Sequence, residues 1–105
     1  MIVSRNKEMQ KLIVHLGTTR SPDISNSVAE FLQEKYNAKI LEKKGEPDSL
    51  GKTWLFDIEG FKVGLIQDDI MPLGIYAKTI ESNDLVNKIA DDLEPLIKDI
   101  KDDDF

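Results

Sequence analysis

Apolar and polar residues alternate most cleanly between Lys52 and Gln67, KTWLFDIEGFKVGLIQ. With Glu59-Gly60 at the tip of a two-residue turn, Ile58 faces Phe61, Phe56 faces Val63 and Trp54 faces Leu65, all on one side of a hairpin. On the other side Asp57 meets Lys62, an opposite-charge cross-strand pair. A slip of one residue would scatter the apolar set over both faces, so the pattern specifies its own register. Gly60 is the residue that tolerates the positive φ of such a turn.

The rest of the chain is read around this hairpin. Met1 to Gln10 is polar after Ile2-Val3, and is either a frayed end or adds to a sheet edge through Ile2-Val3. Lys11 to Gly17 (KLIVHLG) reads as a strand, with Leu12, Val14 and Leu16 on one face and Ile13 and His15 on the other. Apolar character on nearly both faces points to a central position. Gly17-Thr18-Thr19-Arg20 is a loop, and Ser21-Pro22 opens a helix, with the serine as cap and the proline at the first helical position. Asp23 suits the positive end of that helix. Ile24, Val28, Phe31 and Leu32 form its inner stripe. Asn37 ends it in the left-handed region.

Ala38 to Lys43 reads as a strand and Lys44 to Gly51 as a turn-rich connection. After the hairpin, Gln67 to Leu73 is a loop and Gly74 to Ile80 a strand. The closing helix starts at Ser82 or Asn83, both capping residues. Val86, Ile89, Ala90, Leu93, Leu96, Ile97 and Ile100 form its buried stripe. Pro95 removes one hydrogen bond and should kink or split this helix near Asp91 to Glu94. The order β-α-β-β-β-β-α predicts a single α+β domain over residues 1–105. Its architecture is a mostly antiparallel sheet of four to five strands with two helices packed on one face. An exposed edge strand would suit a dimer, but the sequence does not say which strand lies at the edge.

Composition narrows the function. A chain of 105 residues, 40% hydrophobic and 32% charged, fits one soluble globular domain with one core. It has no apolar run of membrane-spanning length and no signal-peptide core, so a cytoplasmic location is expected. The absence of cysteine excludes disulfides, thiolate zinc sites and cysteine nucleophiles. The net charge of -6 is unevenly placed. Residues 81–105 hold nine acids and three bases, whereas residues 1–80 hold eleven of each. Such a surface disfavours nucleic acid and anionic membrane as partners and favours a basic protein.

No catalytic motif is present, and no cofactor or metal is expected. The strand-loop-helix junction Gly17 to Ser21 has the outline of a phosphate cradle, but it lacks Walker or dinucleotide spacing and reads more simply as a capped helix start. His15, the only histidine, has no nucleophile or carboxylate assigned to it and reads as a packed or sheet-surface imidazole. Asp68-Asp69, with Glu46 or Asp48, lacks the ligand spacing of a calcium loop. Two partner-binding candidates remain. One is the outer side of the last helix, with Asp84, Asp91, Asp92 and Glu94, which is either an ordinary solvated face or a docking surface for a basic protein. The other is the loop Asp68, Asp69, Ile70 and Met71, running on through Pro72-Leu73, which either caps the core or presents an apolar anchor rimmed by acid.

Two resemblances bear on these candidates. Asn37 to Gly60 (NAKILEKKGEPDSLGKTWLFDIEG) and the strand after it resemble a small uncharacterised α+β family of gamma-proteobacteria, whose members share a helix, an NAK strand and a WL-D-EG hairpin. That resemblance implies fold alone. In size, acidity and lack of a catalytic motif the chain also resembles bacterial immunity proteins of the contact-dependent growth inhibition type. It implies a non-enzymatic inhibitor that binds a cognate toxin with a basic, nuclease-like surface. The rival expectations are a regulatory or adaptor domain for a host protein, and a small ligand-binding or enzymatic domain using the Gly17 to Ser21 loop.

Overall fold

The structure is a computed structural model describing residues 4–16, 22–45, 51–68 and 73–104; for Ser4, Pro22 and residues 97–104 it describes the backbone. Among the described residues six strands form one sheet. They are β1 (Ser4–Glu8), β2 (Lys11–His15), β3 (Lys39–Lys44), β4 (Lys52–Ile58), β5 (Phe61–Gln67) and β6 (Gly74–Ala77). Helix α1 (Pro22–Tyr36) follows β2, and α2 (Asn83–Asp104) follows a 3-10 turn at Ile80–Ser82. The sheet order is β1-β2-β6-β5-β4-β3, and every neighbouring pair is antiparallel. The α+β class is as expected, with six strands in place of four to five.

The additional strand is β1, which forms a hairpin with β2. Its turn, Met9-Gln10, holds φ of 52° and 68°. Both residues sit in the left-handed region that two-residue hairpins require. Neither is the Asn, Asp or Gly that usually marks such a turn, which is why Ser4 to Glu8 does not read as a strand from sequence. The expected contribution of Ile2-Val3 lies outside the described residues.

The β4–β5 hairpin has the register its alternation specifies. Trp54 lies opposite Leu65, Phe56 opposite Val63, Asp57 opposite Lys62 and Ile58 opposite Phe61. Glu59 and Gly60 hold φ of 54° and 90°. The Asp57 carboxylate accepts from the Gly60 N–H and from Lys62 Nζ, each at 2.8 Å. Burial alternates strictly along β4, with Lys52, Trp54, Phe56 and Ile58 inside. Phe61 is 39% exposed, because it sits where the hairpin tip leaves the core.

Directly opposed residues share a face, so the line Val14–Ile75–Leu65–Trp54 runs across the sheet on one side. Both helices pack there, α1 on β4 and β5 and α2 on β2 and β6. α1 contributes Ile24, Val28, Ala29 and Leu32, and α2 contributes Val86, Ile89, Ala90 and Leu93. Phe31 is half-buried at the margin. Asn37 takes φ of 54°, and the Ala38 N–H bonds the Leu32 carbonyl at 3.2 Å to close α1.

α2 departs from expectation in three ways. It runs through Pro95 as one helix, so of the two expected outcomes, a kink or a split, the split does not occur. Asp91 and Pro95 are both exposed, so water can reach the backbone group the proline leaves unbonded. The described buried stripe ends at Leu93, and Leu96 is 43% exposed; the side chains of Ile97 and Ile100 lie outside the description. Finally, Asn83 does not cap the helix. Its Oδ1 accepts from the Leu12 N–H at 2.8 Å, and its Nδ2 donates to the Gln10 carbonyl at 2.7 Å. The helix start is thereby tied to the β1–β2 hairpin. Strand bounds also shift: β3 begins at Lys39, and β6 stops at Ala77 before the 3-10 turn.

A polar group is enclosed where α1 begins. Ser25, Lys52 and Gln67 are fully buried, and Lys52 lies opposite Gln67 in the sheet. The Ser25 hydroxyl bonds Gln67 Oε1, and Lys52 Nζ donates to Asn26 Oδ1 at 3.3 Å. Such bonds are what make burial of these groups tolerable.

The alternation along β4 predicts unequal mutational costs. Phe56→Ala should lose roughly 3–5 kcal/mol, as expected for truncating a buried aromatic. Leu55→Ala, one position away on the half-open face, should lose roughly 1 kcal/mol. Urea unfolding with an unchanged m-value checks both.

Candidate interaction surface

The outer layer of the molecule on the helical side is acidic. Between Asp23 and Lys35 and between Glu81 and Glu94, the helices and the 3-10 turn carry eight acids and two bases. Part of this is not evident from the sequence: Asp23, Glu30 and Glu34 of α1 join the α2 carboxylates because the two helices lie side by side on one sheet face. On the opposite sheet face bases outnumber acids, with Lys11, Lys39, Lys44, Lys62 and Lys78 against Glu8, Glu42 and Asp57. Arg5, Lys7 and Lys43 also project to the helical side from the two edge strands, so the acidic excess belongs to the outer surface of the helices, flanked by bases at the sheet edges.

The four α2 candidates do not form one equivalent set. Asp84 and Glu94 are exposed. Asp91 accepts from Arg5 Nη2 at 2.7 Å, and Arg5 also reaches Asn87, so this carboxylate joins α2 to β1. Asp92 is half-buried at the seam between the helices, where the Tyr36 hydroxyl donates to it and Lys35 Nζ lies 3.5 Å away. Successive helical residues point about 100° apart, and so Asp91 and Asp92 reach different neighbours, β1 and α1.

The loop candidate divides in a different way. Asp68 is half-buried just after β5, whereas Asp69, Ile70 and Met71, with Pro72, lie outside the described residues. Leu73 is fully buried, and its carbonyl accepts from the Leu16 N–H at 2.9 Å. Of the two readings of that apolar run, Leu73 takes the core-capping one. The Gly17 to Ser21 junction is also outside the description, and the buried Ser25, Lys52 and Gln67 lie beside its helix. Lys52 gives no signal in the sequence, since lysine reads as a surface residue. His15 lies on the face away from the helices, opposite Ser4 and Gly74.

Among the described residues no group of three or more His, Asp or Glu is placed to hold a metal ion. No described helix is long and apolar enough to cross a membrane.

The seam at Asp92 has an electrostatic consequence. The hydrogen bond from Tyr36, with Lys35 adding to it, holds the Asp92 carboxyl below its ordinary value of 3.8. Burial, with the same bond to Asp92, pushes the Tyr36 phenol up. A carboxyl depressed in the folded state stabilises the fold above its unfolded value, and that contribution is lost as pH falls through the lower folded value. Stability should therefore drop below about pH 4, and Tyr36→Phe should lessen the drop while moving Asp92 back toward 3.8. Carboxyl NMR titration of both proteins, with urea unfolding against pH, checks this. Comparison of the chain with protein-family models, curated proteins and solved structures finds no match.

Proposed function

We propose that this chain is a non-catalytic protein-binding inhibitor, an immunity protein that covers a basic surface on a toxin. The observation that supports the reading is the acidic layer spread over both helices, with eight acids against two bases, set against a sheet face on which bases outnumber acids. A nuclease-like toxin needs a positive surface to hold phosphates. A rigid layer of carboxylates complements that surface, steers encounter, and excludes the nucleic acid once docked. Asp84 and Glu94 are the exposed α2 members of this layer. Asp91, two turns on from Asp84 and on the same side of α2, and Asp92, half-buried at the seam, belong to the layer while bracing the fold. Asp68, with the Asp69-Ile70-Met71 segment after it, is the second proposed contact.

Co-expression tests the function directly. The protein encoded immediately upstream should arrest growth alone, and this chain should relieve the arrest. Arrest that this chain does not relieve would overturn the reading. Once a complex is in hand, Asp84→Lys with Glu94→Lys should weaken it about tenfold or more at low salt and flatten its salt dependence. Unchanged affinity would remove the helical layer from the interface. The same reversal at Asp91 and Asp92 is a poorer probe, because it breaks the contacts to Arg5 and Tyr36.

A further inference from the structure

β3 forms one edge of the sheet, and all six of its residues are exposed. The opposite edge, β1, consists of five polar or charged residues (SRNKE), and Arg5 is drawn onto α2. β3 instead exposes two large aliphatic side chains, Ile40 at 42% and Leu41 at 51%, between Lys39 and Glu42. Exposed aliphatics on an open edge invite the addition of another strand.

A bulge decides which strand fits. Against β4, Lys39 pairs with Asp57 and Ile40 with Phe56; the register then skips, so that Glu42 pairs with Leu55 and Lys43 with Trp54. Phe56 and Trp54 face the helices, and Asp57 and Leu55 face away from them. Lys39 and Glu42 therefore share the open face although they are three positions apart. Ile40 and the extra residue Leu41 fall together between them, toward the helices. In an unbulged strand Lys39 and Glu42 would point to opposite faces.

We propose that β3 pairs antiparallel with β3 of a second copy of this chain, about a two-fold axis normal to the sheet and passing between Ile40 and Leu41. Lys39 then lies opposite Glu42 of the second copy, Ile40 opposite its Leu41, Leu41 opposite its Ile40, and Glu42 opposite its Lys39. Lys39 and Glu42 meet opposite charges and each aliphatic meets an aliphatic, while Lys43 and Lys44 fall opposite Ala38 and Asn37 of the second copy, with Lys44 also paired to Glu42 of its own chain at 2.9 Å. Opposed residues of an antiparallel pair share a face. A regular strand paired with itself in this register would violate that rule, because residues one apart would have to share a face. The bulge removes the conflict. The features that normally blunt an edge, lysines and a bulge, here exclude other strands while admitting a copy of the same one. The contact is isologous, as a two-fold requires. Four residues a side make a small interface, so the dimer is weak and depends on concentration.

Charge swapping tests the pairing with residues that lie outside the core. Sedimentation velocity over a concentration series should show a reversible monomer–dimer equilibrium. Lys39→Glu alone and Glu42→Lys alone should each weaken association about tenfold or more, since each sets like charges opposite one another at two symmetric positions. Mixing the two single variants should restore association as a heterodimer. One copy then carries an acid at both positions, and the other carries a lysine at both. The double variant Lys39→Glu/Glu42→Lys should dimerise like the parent. Circular dichroism confirms that each variant folds. A parent that stays monomeric at its highest soluble concentration, a dimer indifferent to the single changes, or single variants that fail to associate on mixing would overturn the proposal.

Discussion

One face of the sheet is sealed and the other is not, and the strict alternation of β4 enforces the difference. Lys52, Trp54, Phe56 and Ile58 all point inward, and the Glu59-Gly60 turn transfers that choice to Val63 and Leu65 on β5. A one-residue slip would turn every one of these side chains toward water. With the face fixed, both amphipathic helices can bury their stripes in only one place. Their polar sides must then form the outer layer of the same half of the molecule. The acidic layer follows from the core pattern, because the carboxylates of α1 and α2 have nowhere else to point.

Within that layer, binding and bracing are divided between neighbouring residues. Asp91 and Asp92 are adjacent in sequence, yet one reaches Arg5 on β1 and the other the Tyr36 hydroxyl on α1. They hold α2 at both flanks. The ion pairs themselves add little, since exposed pairs are worth up to about 1 kcal/mol. Their effect is to fix the rotation of α2, and with it the direction in which Asp84 and Glu94 are displayed. A docking surface gains from such fixing, because less side-chain and helix freedom remains to be lost on association.

The sequence is legible wherever a side chain's polarity agrees with its place. The hairpin register, the stripes of Ile24, Val28 and Leu32 and of Val86, Ile89, Ala90 and Leu93, and the left-handed Asn37 all follow from period and turn chemistry. Reading fails where tertiary contacts override local preference. Met9-Gln10 adopts a turn shape that its residues do not advertise, and this hides β1. Asn83 looks like a cap but serves Leu12 and Gln10, partners more than 70 positions away in sequence. Lys52 is buried with its ammonium group bonded to Asn26 and beside the Trp54 ring, contacts that no pattern around residue 52 encodes. Of the site, the α2 carboxylates are visible as a count. The part played by α1 needs the topology, which sets the helices side by side.

The two proposed surfaces are coupled by geometry. A two-fold normal to the sheet keeps both copies' helices on the same side, so a β3 dimer would present two acidic layers in one plane. Lys39 and Glu42 meet at the seam on the opposite face, away from those layers. The paired layers repel each other at low salt, which opposes dimerisation, and a basic partner lying across both would screen that repulsion. By linkage, whatever a bound partner adds to dimer stability, the dimer returns as affinity for the partner. Raising salt weakens attraction to a basic surface and relieves the layers' repulsion, and it also screens the Lys39–Glu42 pairs at the seam. The seam therefore responds to ionic strength less steeply than recognition does, because aliphatic and backbone contacts hold it together with its two charge pairs, whereas the acidic field acts on a basic partner through charge alone.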